Sequence, residues 1–353
     1  MDKSEVCEKY FAAANTYAGF KSYFPIVFAP KDYERIYILK GGPGSGKSSF
    51  IKRFAADLIQ KGCKTEEIYC SSDPRSLDGI IIYAEGKKIV IIDGTAPHET
   101  DAKLPGAFDE VINLGDAWDT RWLISQRERI FRTNMQKSDA YKSAYASLSI
   151  AGAAQLVKKD FLQESYDSKN AKIRIKSLAD LFADNNYGSI KTRLISAFGK
   201  QGLLKLNTYE TMCKKVFSLH GNDYACLRFM TDLYREFECR GIEMTVSPSP
   251  LDPSVIEAIY LSKDSACFVI GGNGEAIDVN AYFKNDELIS ERLRCVDECH
   301  QLALSDAKRW FSVASELHFT LEDIYTRAMN FNTVDGIYKK KFVEACDILN
   351  LTS

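Results

Sequence analysis

The sequence predicts an α/β protein built twice over, with parallel sheets flanked by helices in each half. Three observations predict this. Aliphatic, strand-like runs alternate with helical patterns. A strand, a glycine loop and a helix follow one another near the start. The elements around that unit recur in the same order in the second half. The 353 residues leave room for about two domains, and 45% hydrophobic against 27% charged residues is ample for packed cores.

The first clear element is the run Arg35-Ile36-Tyr37-Ile38-Leu39-Lys40, which reads as a buried strand. Gly41-Gly42-Pro43-Gly44-Ser45-Gly46-Lys47-Ser48 follows and fits G-x-x-x-x-G-K-[ST]. After it, Phe50, Ile51, Phe54 and Leu58 have helical spacing, and Gly62 ends the helix. Glycines let successive N–H groups turn inward onto phosphate oxygens. The helix that opens there adds unsatisfied donors and a partial positive charge. Gly41, Gly42, Pro43, Gly44, Ser45, Gly46, Lys47, Ser48 and Ser49 are thus the expected nucleotide-binding set, with Lys47 reaching the β- and γ-phosphates and Ser48 ligating Mg²⁺.

A second aliphatic run, Lys88-Ile89-Val90-Ile91-Ile92, ends in Asp93, the expected second Mg²⁺ residue. Asp73 follows a short strand and belongs to the same sheet edge. It either orients a water or acceptor hydroxyl, joins the Mg²⁺ shell, or caps the turn before Pro74. His98, on the loop after Asp93, either reads the phosphate, acts as acid or base, or is a surface histidine without a role. Lys47, Asp93, Asp73 and His98 are the catalytic candidates.

Trp118 to Gln163 reads as a helical hairpin with Arg121, Arg127, Arg129 and Arg132 in its first part. Those arginines either meet the triphosphate or form a solvated basic face. The second half repeats the first at near-constant spacing: Val216-Phe217-Ser218-Leu219-His220-Gly221 answers Ile36 to Gly41, and Val269-Ile270-Gly271-Gly272 answers Ile91 to Gly94. Its loop is Gly221-Asn222-Asp223-Tyr224, without lysine and with an acid that repels phosphate, and Gly271 stands where the first copy has Asp93. The expected division is residues 1–172, carrying the intact loop and a hairpin, and residues 173–353, a degenerate copy with its own hairpin.

The stretches Lys40 to Ser49, Cys70 to Asp78, Asp93 to His98, Leu104 to Ala107 and Asn113 to Asp119 resemble a bacterial family of tandem P-loop NTPases described as ATPases. The likeness is dense in the first half and weak in the second. It implies two P-loop NTPase-like domains and Mg-dependent use of ATP. Members of that family tend to carry a second intact loop, and this chain departs from them there.

No N-K-x-D motif is present, so adenine is the default base, and no glutamate directly follows Asp93 to activate water. Three readings compete: an ATPase or ATP-driven switch, a small-molecule kinase, and a nucleotide-binding protein without turnover. The net charge of −2 argues against general nucleic-acid coating. No run approaches a membrane span. The expected setting is a reducing cytoplasm, because the ten cysteines form no C-x-x-C pair. A protein partner or self-association remains open.

Overall fold

The computed structural model describes residues 7–182, 188–283 and 287–351, with the backbone alone described over 287–290. In chain order the first half contains β1 (Cys7–Phe11), the hairpin β2 (Ala13–Thr16) and β3 (Gly19–Ser22), and the short helix α1 (Phe24–Val27). Then come β4 (Arg35–Lys40), α2 (Lys47–Gln60), β5 (Lys64–Tyr69), β6 (Leu77–Ala84), β7 (Lys87–Asp93), β8 (Asp109–Asn113), α3 (Thr120–Ser125) and α4 (Arg127–Ser165). Helix α5 (Ser168–Ala179) closes the first copy, and the second begins with β9 (Ile190–Thr192), the hairpin β10 (Ser196–Gly199) and β11 (Gly202–Lys205), and α6 (Thr208–Met212). It continues with β12 (Lys215–His220), α7 (Asp223–Cys239), β13 (Met244–Pro248), β14 (Ile256–Leu261), β15 (Ala266–Ile270), β16 (Glu275–Asp278), α8 (Glu287–Arg327) and α9 (Phe331–Ile348).

Two six-stranded sheets result, in the orders β1-β5-β6-β7-β4-β8 and β9-β13-β14-β15-β12-β16. The second order is the first, element for element. The senses also match: β1 and β5, β7 and β4, and β4 and β8 run parallel, as do β9 and β13, β15 and β12, and β12 and β16. The strands β6 and β14 run antiparallel to both their neighbours. Even the register shift recurs, at Ile68/Tyr69 and at Ser247/Pro248. The duplication read from the sequence therefore extends through the whole topology.

Each sheet is mixed, which corrects the expectation of parallel sheets. The cause is local. Glu85 and Gly86, both with positive φ, form the turn between β6 and β7, and so tight a connection can only join antiparallel strands.

Helices flank the sheets as expected, with the long ones on one face of each. On one face of the first sheet, Tyr37, Leu39, Ile80, Ile82, Ile89 and Ile91 pack against Phe50, Phe54 and Leu58 of α2. On the other, Ile36, Ile38, Ile81, Val90 and Ile92 enter a core shared with Ala258, Cys267 and Val269 of the second sheet. Tyr10, Phe24 and Tyr209, from β1 and the short helices, fill the same core. Alternate residues of each strand thus serve two different cores, as the pleat requires. Asn15 Nδ2 donates to Phe198 O across this middle layer at 2.8 Å, and the Arg193 guanidinium pairs with Glu66 at 2.6 Å.

The division at 172/173 does not describe how the helices pack. The 39-residue α4 is one continuous helix rather than a hairpin, and its partner is the 41-residue α8 of the other half. Ser147 meets Asp306 and Lys158 meets Asp297, each at 2.7 Å, so the two helices run antiparallel. Ala144, Leu148, Ala307 and Phe311 pack between them. At the far end of this stalk each chain segment has changed halves. Helix α5 packs Ala171, Ile175 and Leu178 against Phe229, Leu233 and Phe237 of α7, and α9 packs Val334, Tyr338, Ala345 and Cys346 against α2. Residues 331–351 therefore complete the core of the first half. No helix among the described residues is long and apolar enough to cross a membrane.

Candidate phosphate site at the Gly41–Ser48 loop

The loop lies where β4 ends and α2 begins, between two strands that both run parallel to β4. Gly44 and Gly46 have φ of +68° and +89°, the left-handed region that glycine enters without strain. Gly46 occupies the position before the first helical residue, and no side chain caps α2 there. The first-turn N–H groups are thus left without a side-chain cap, the arrangement an anion accepts.

Lys47 is buried to 8% exposure. Its ammonium donates to Gly41 O and Gly42 O at 3.0 Å each and lies 3.7 Å from Asp93 Oδ2. Asp93 Oδ1 in turn accepts the N–H and the hydroxyl of Thr95, at 2.9 and 2.6 Å. The fold thus brings Lys47 and Asp93 together across neighbouring strands, as the motif requires. Ser48 Oγ accepts the N–H of Leu77 at 3.1 Å, which fixes the hydroxyl at the start of β6.

A lysine, a hydroxyl and a carboxylate at an uncapped helix start are the donor set a magnesium–triphosphate would use. Among the described residues no group of three or more His, Cys, Asp and Glu stands together as a metal site. Magnesium carried on phosphate needs only one or two protein oxygens, and a hydroxyl with a carboxylate is a suitable pair. Ser48 and Asp93 are the residues at the loop that offer them.

The other two candidates stand apart from this cluster. Asp73 accepts from Arg75 at 3.1 and 2.9 Å and from Lys200 at 2.7 Å. Burial alone would raise its pKa, but the hydrogen bonds from Arg75 and Lys200 outweigh that and pull it down to about 2. A carboxylate so held is a poor base. His98 is buried, stacked on Phe24 at 4.4 Å, with Nε2 3.3 Å from Asp78 of β6. Burial lowers its pKa, yet the charge and hydrogen bond of Asp78, with the charge of Asp93, carry it above the usual value. The surface-histidine alternative is corrected: this is a core histidine with a carboxylate partner. Arg121, Arg127, Arg129 and Arg132 are all exposed along α3 and α4.

Sequence reasoning missed the cover of the loop. The C-terminal end of α8 lies on it. Thr326 Oγ1 donates to Gly44 O at 3.3 Å. A Cβ on Gly44 would stand 2.4 Å from Glu322 O, and one on Gly42 would stand 2.9 Å from the Tyr325 ring. Trp118 packs on Tyr325 with ring centroids 5.7 Å apart, and Trp122 Nε1 donates to Ile324 O at 3.3 Å. Nothing in the pattern of a long helix announces which loop its last turn meets. Gly44→Ala is therefore expected to lose about 1–3 kcal/mol of stability, from backbone strain and the clash with α8, read as a lower urea midpoint.

The second half differs at the same place. Between β12 and α7 lie only Gly221 and Asn222, where the first half has the whole Gly41–Gly46 loop. Asn222 itself caps α7, accepting from Tyr224 N at 3.0 Å. The cradle is shortened away as well as stripped of its lysine. Glu257, which answers Asp78, takes hydrogen bonds from Ser196 and Ser247. Burial raises its pKa to about 7 despite those two bonds. Between the ordinary value of 4.5 and about 7, the folded chain then binds more protons than the unfolded chain. Stability falls as pH rises through that window and is level above it. Glu257→Gln is expected to remove the fall, leaving the variant on the order of 1–3 kcal/mol more stable than wild type at pH 8 and level with it at pH 4. Urea melts across pH read this directly.

No family model, curated protein or solved structure matches the chain.

Proposed function

We propose that the chain binds one Mg-ATP at the Gly41–Ser48 loop and works as an ATP-driven switch with slow hydrolysis, while the second half holds no triphosphate. The observation that carries this reading is the Lys47 ammonium, buried against the loop carbonyls and Asp93 at the mouth of an uncapped helix. ATP is preferred over GTP because the guanine motif is absent from the sequence. Slow turnover follows from the carboxylates nearby. Asp73 is locked in ion pairs, Asp93 is shared between Lys47 and Thr95, and Gly94 occupies the position after Asp93. The switch is supported by the last turn of α8, which a ligand in the loop would press upon.

Calorimetry with Mg-ATP is expected to give one magnesium-requiring site per chain. Phosphate release without an added acceptor is expected to be slow but measurable. Two equal sites, or none, would overturn the reading, and release that requires an acceptor would favour a kinase. Because Trp118 lies against both Gly42 and Tyr325, Mg-ATP should also change the tryptophan emission, and Trp118→Phe should remove that change.

A further inference from the structure

A cavity of about 1490 Å³ lies over the second half, bounded by the Gly221–Asn222 turn, residues 249–252 after β13, and the flanks of α4 and α8. It occupies the carboxyl ends of the central strands, where open α/β sheets place their ligands. Its position answers that of the phosphate loop in the first half. There the Gly41–Gly46 loop and the last turn of α8 stand against each other. Here the loop is reduced to two residues and the space stays open.

The lining is amphipathic. Tyr17, Leu156, Leu203, Leu251 and Leu304 supply apolar surface, and Leu156 and Leu203 are 62% and 59% exposed. Large open leucines in a concave wall are the usual mark of a ligand surface. The cations Lys158, Lys159, Lys205, Arg228, Arg235 and Lys308 outnumber the acids Asp223, Asp252, Glu257 and Asp297. Lys158 is spent on Asp297, and Arg228 and Arg235 share Asp232. Lys159 and Lys308 have no ion-pair or hydrogen-bond partner for their ammonium groups among the described residues. The stalk pairing of Lys158 with Asp297 and of Ser147 with Asp306 puts them at opposite ends. At 1.5 Å of rise per residue they stand on the order of 20 Å apart along the stalk. The N-terminus of α7 is closed to an anion, being capped by Asn222 and followed by Asp223.

We infer that this cavity binds an elongated, amphipathic organic anion with negative groups toward both ends, one met by Lys159 and the other by Lys308. Its body lies along the leucines and Tyr17. The site is separate from the phosphate loop and does not depend on the Mg-ATP reading.

The probe is 4,4′-dianilino-1,1′-binaphthyl-5,5′-disulfonate, an aromatic body with two sulfonates, titrated by fluorescence into the folded full-length chain. One saturable site per chain is expected. Binding should weaken tenfold or more in Lys159→Glu and in Lys308→Glu. Both lysines are exposed, so unchanged thermal midpoints are expected to show intact folding. Ala153→Trp, from another lining position, should block the cavity and weaken binding as much. No saturable binding, or a loss below tenfold in either lysine variant, would overturn the assignment.

Discussion

A chain ending at Asn330 is expected to lose the cooperative unfolding of its first half and to be digested rapidly there by a protease that spares the intact protein. Helix α9 is the reason. Val334, Tyr338, Ala345, Cys346 and Leu349, none more than 9% exposed, cover the outer side of α2. Tyr338 alone meets Phe50 and Phe54 at 5.2 and 5.0 Å, lies under the Arg53 guanidinium at 3.8 Å and donates to Asp57 at 2.5 Å. Removing one large buried aromatic costs about 3–5 kcal/mol, a large share of the roughly 5–15 kcal/mol that holds a typical domain together. Losing all five residues and baring Phe50 and Phe54 exceeds that share. Tyr338→Ala should accordingly lower stability by about 3–5 kcal/mol in urea melts. Residues 1–172 expressed alone should behave like the truncated chain, and adding a peptide of residues 331–351 should restore protection. Full stability of the 1–172 fragment would show that α9 is an accessory and not part of the core.

What could be read in the sequence is what is coded locally. The loop from Gly41 to Ser48 announces itself, because glycine, lysine and serine at that spacing do one job and the strand and helix adjoin it. Asp93 follows by the same logic, at the end of four aliphatic residues that lie wholly inside. The repeat was legible because both copies keep their buried strands, and so was the second loop's missing lysine; its shortening to Gly221 and Asn222 was not. The antiparallel strand was signalled by the Glu85-Gly86 turn between two aliphatic runs and went unread. The exchange of α5 and α9 between halves was not legible. An apolar helix face asks to be buried but does not name the partner, and α5 and α9 each reach their partner only at the end of a long stalk. The loop position of His98 left phosphate contact, acid–base work and a bare surface place open, and did not show that Phe24 and Asp78, distant in sequence, hold it inside.

Lys47→Ala is expected to weaken Mg-ATP binding by about 10- to 100-fold, the loss of a charged hydrogen bond worth roughly 1.5–3 kcal/mol. In wild type, ligand at 100 times Kd should raise stability by about 2.7 kcal/mol, and the variant should lose most of that thermal shift. The unliganded variant needs separate attention, because Lys47 also pairs with Asp93 and ties down two loop carbonyls. Its removal leaves Asp93, with a side chain 17% exposed, hydrogen-bonded to Thr95 but without its ammonium. A loss of about 1–3 kcal/mol in the unliganded protein is therefore expected alongside the loss of binding. Lys47→Ala/Asp93→Asn separates the two effects. The double variant removes the stranded carboxylate charge, so it should recover part of the unliganded stability while its affinity for Mg-ATP stays as low as in Lys47→Ala or falls further. If the double variant regains both, the lysine acts only as a structural tie for Asp93, and the triphosphate site must lie elsewhere.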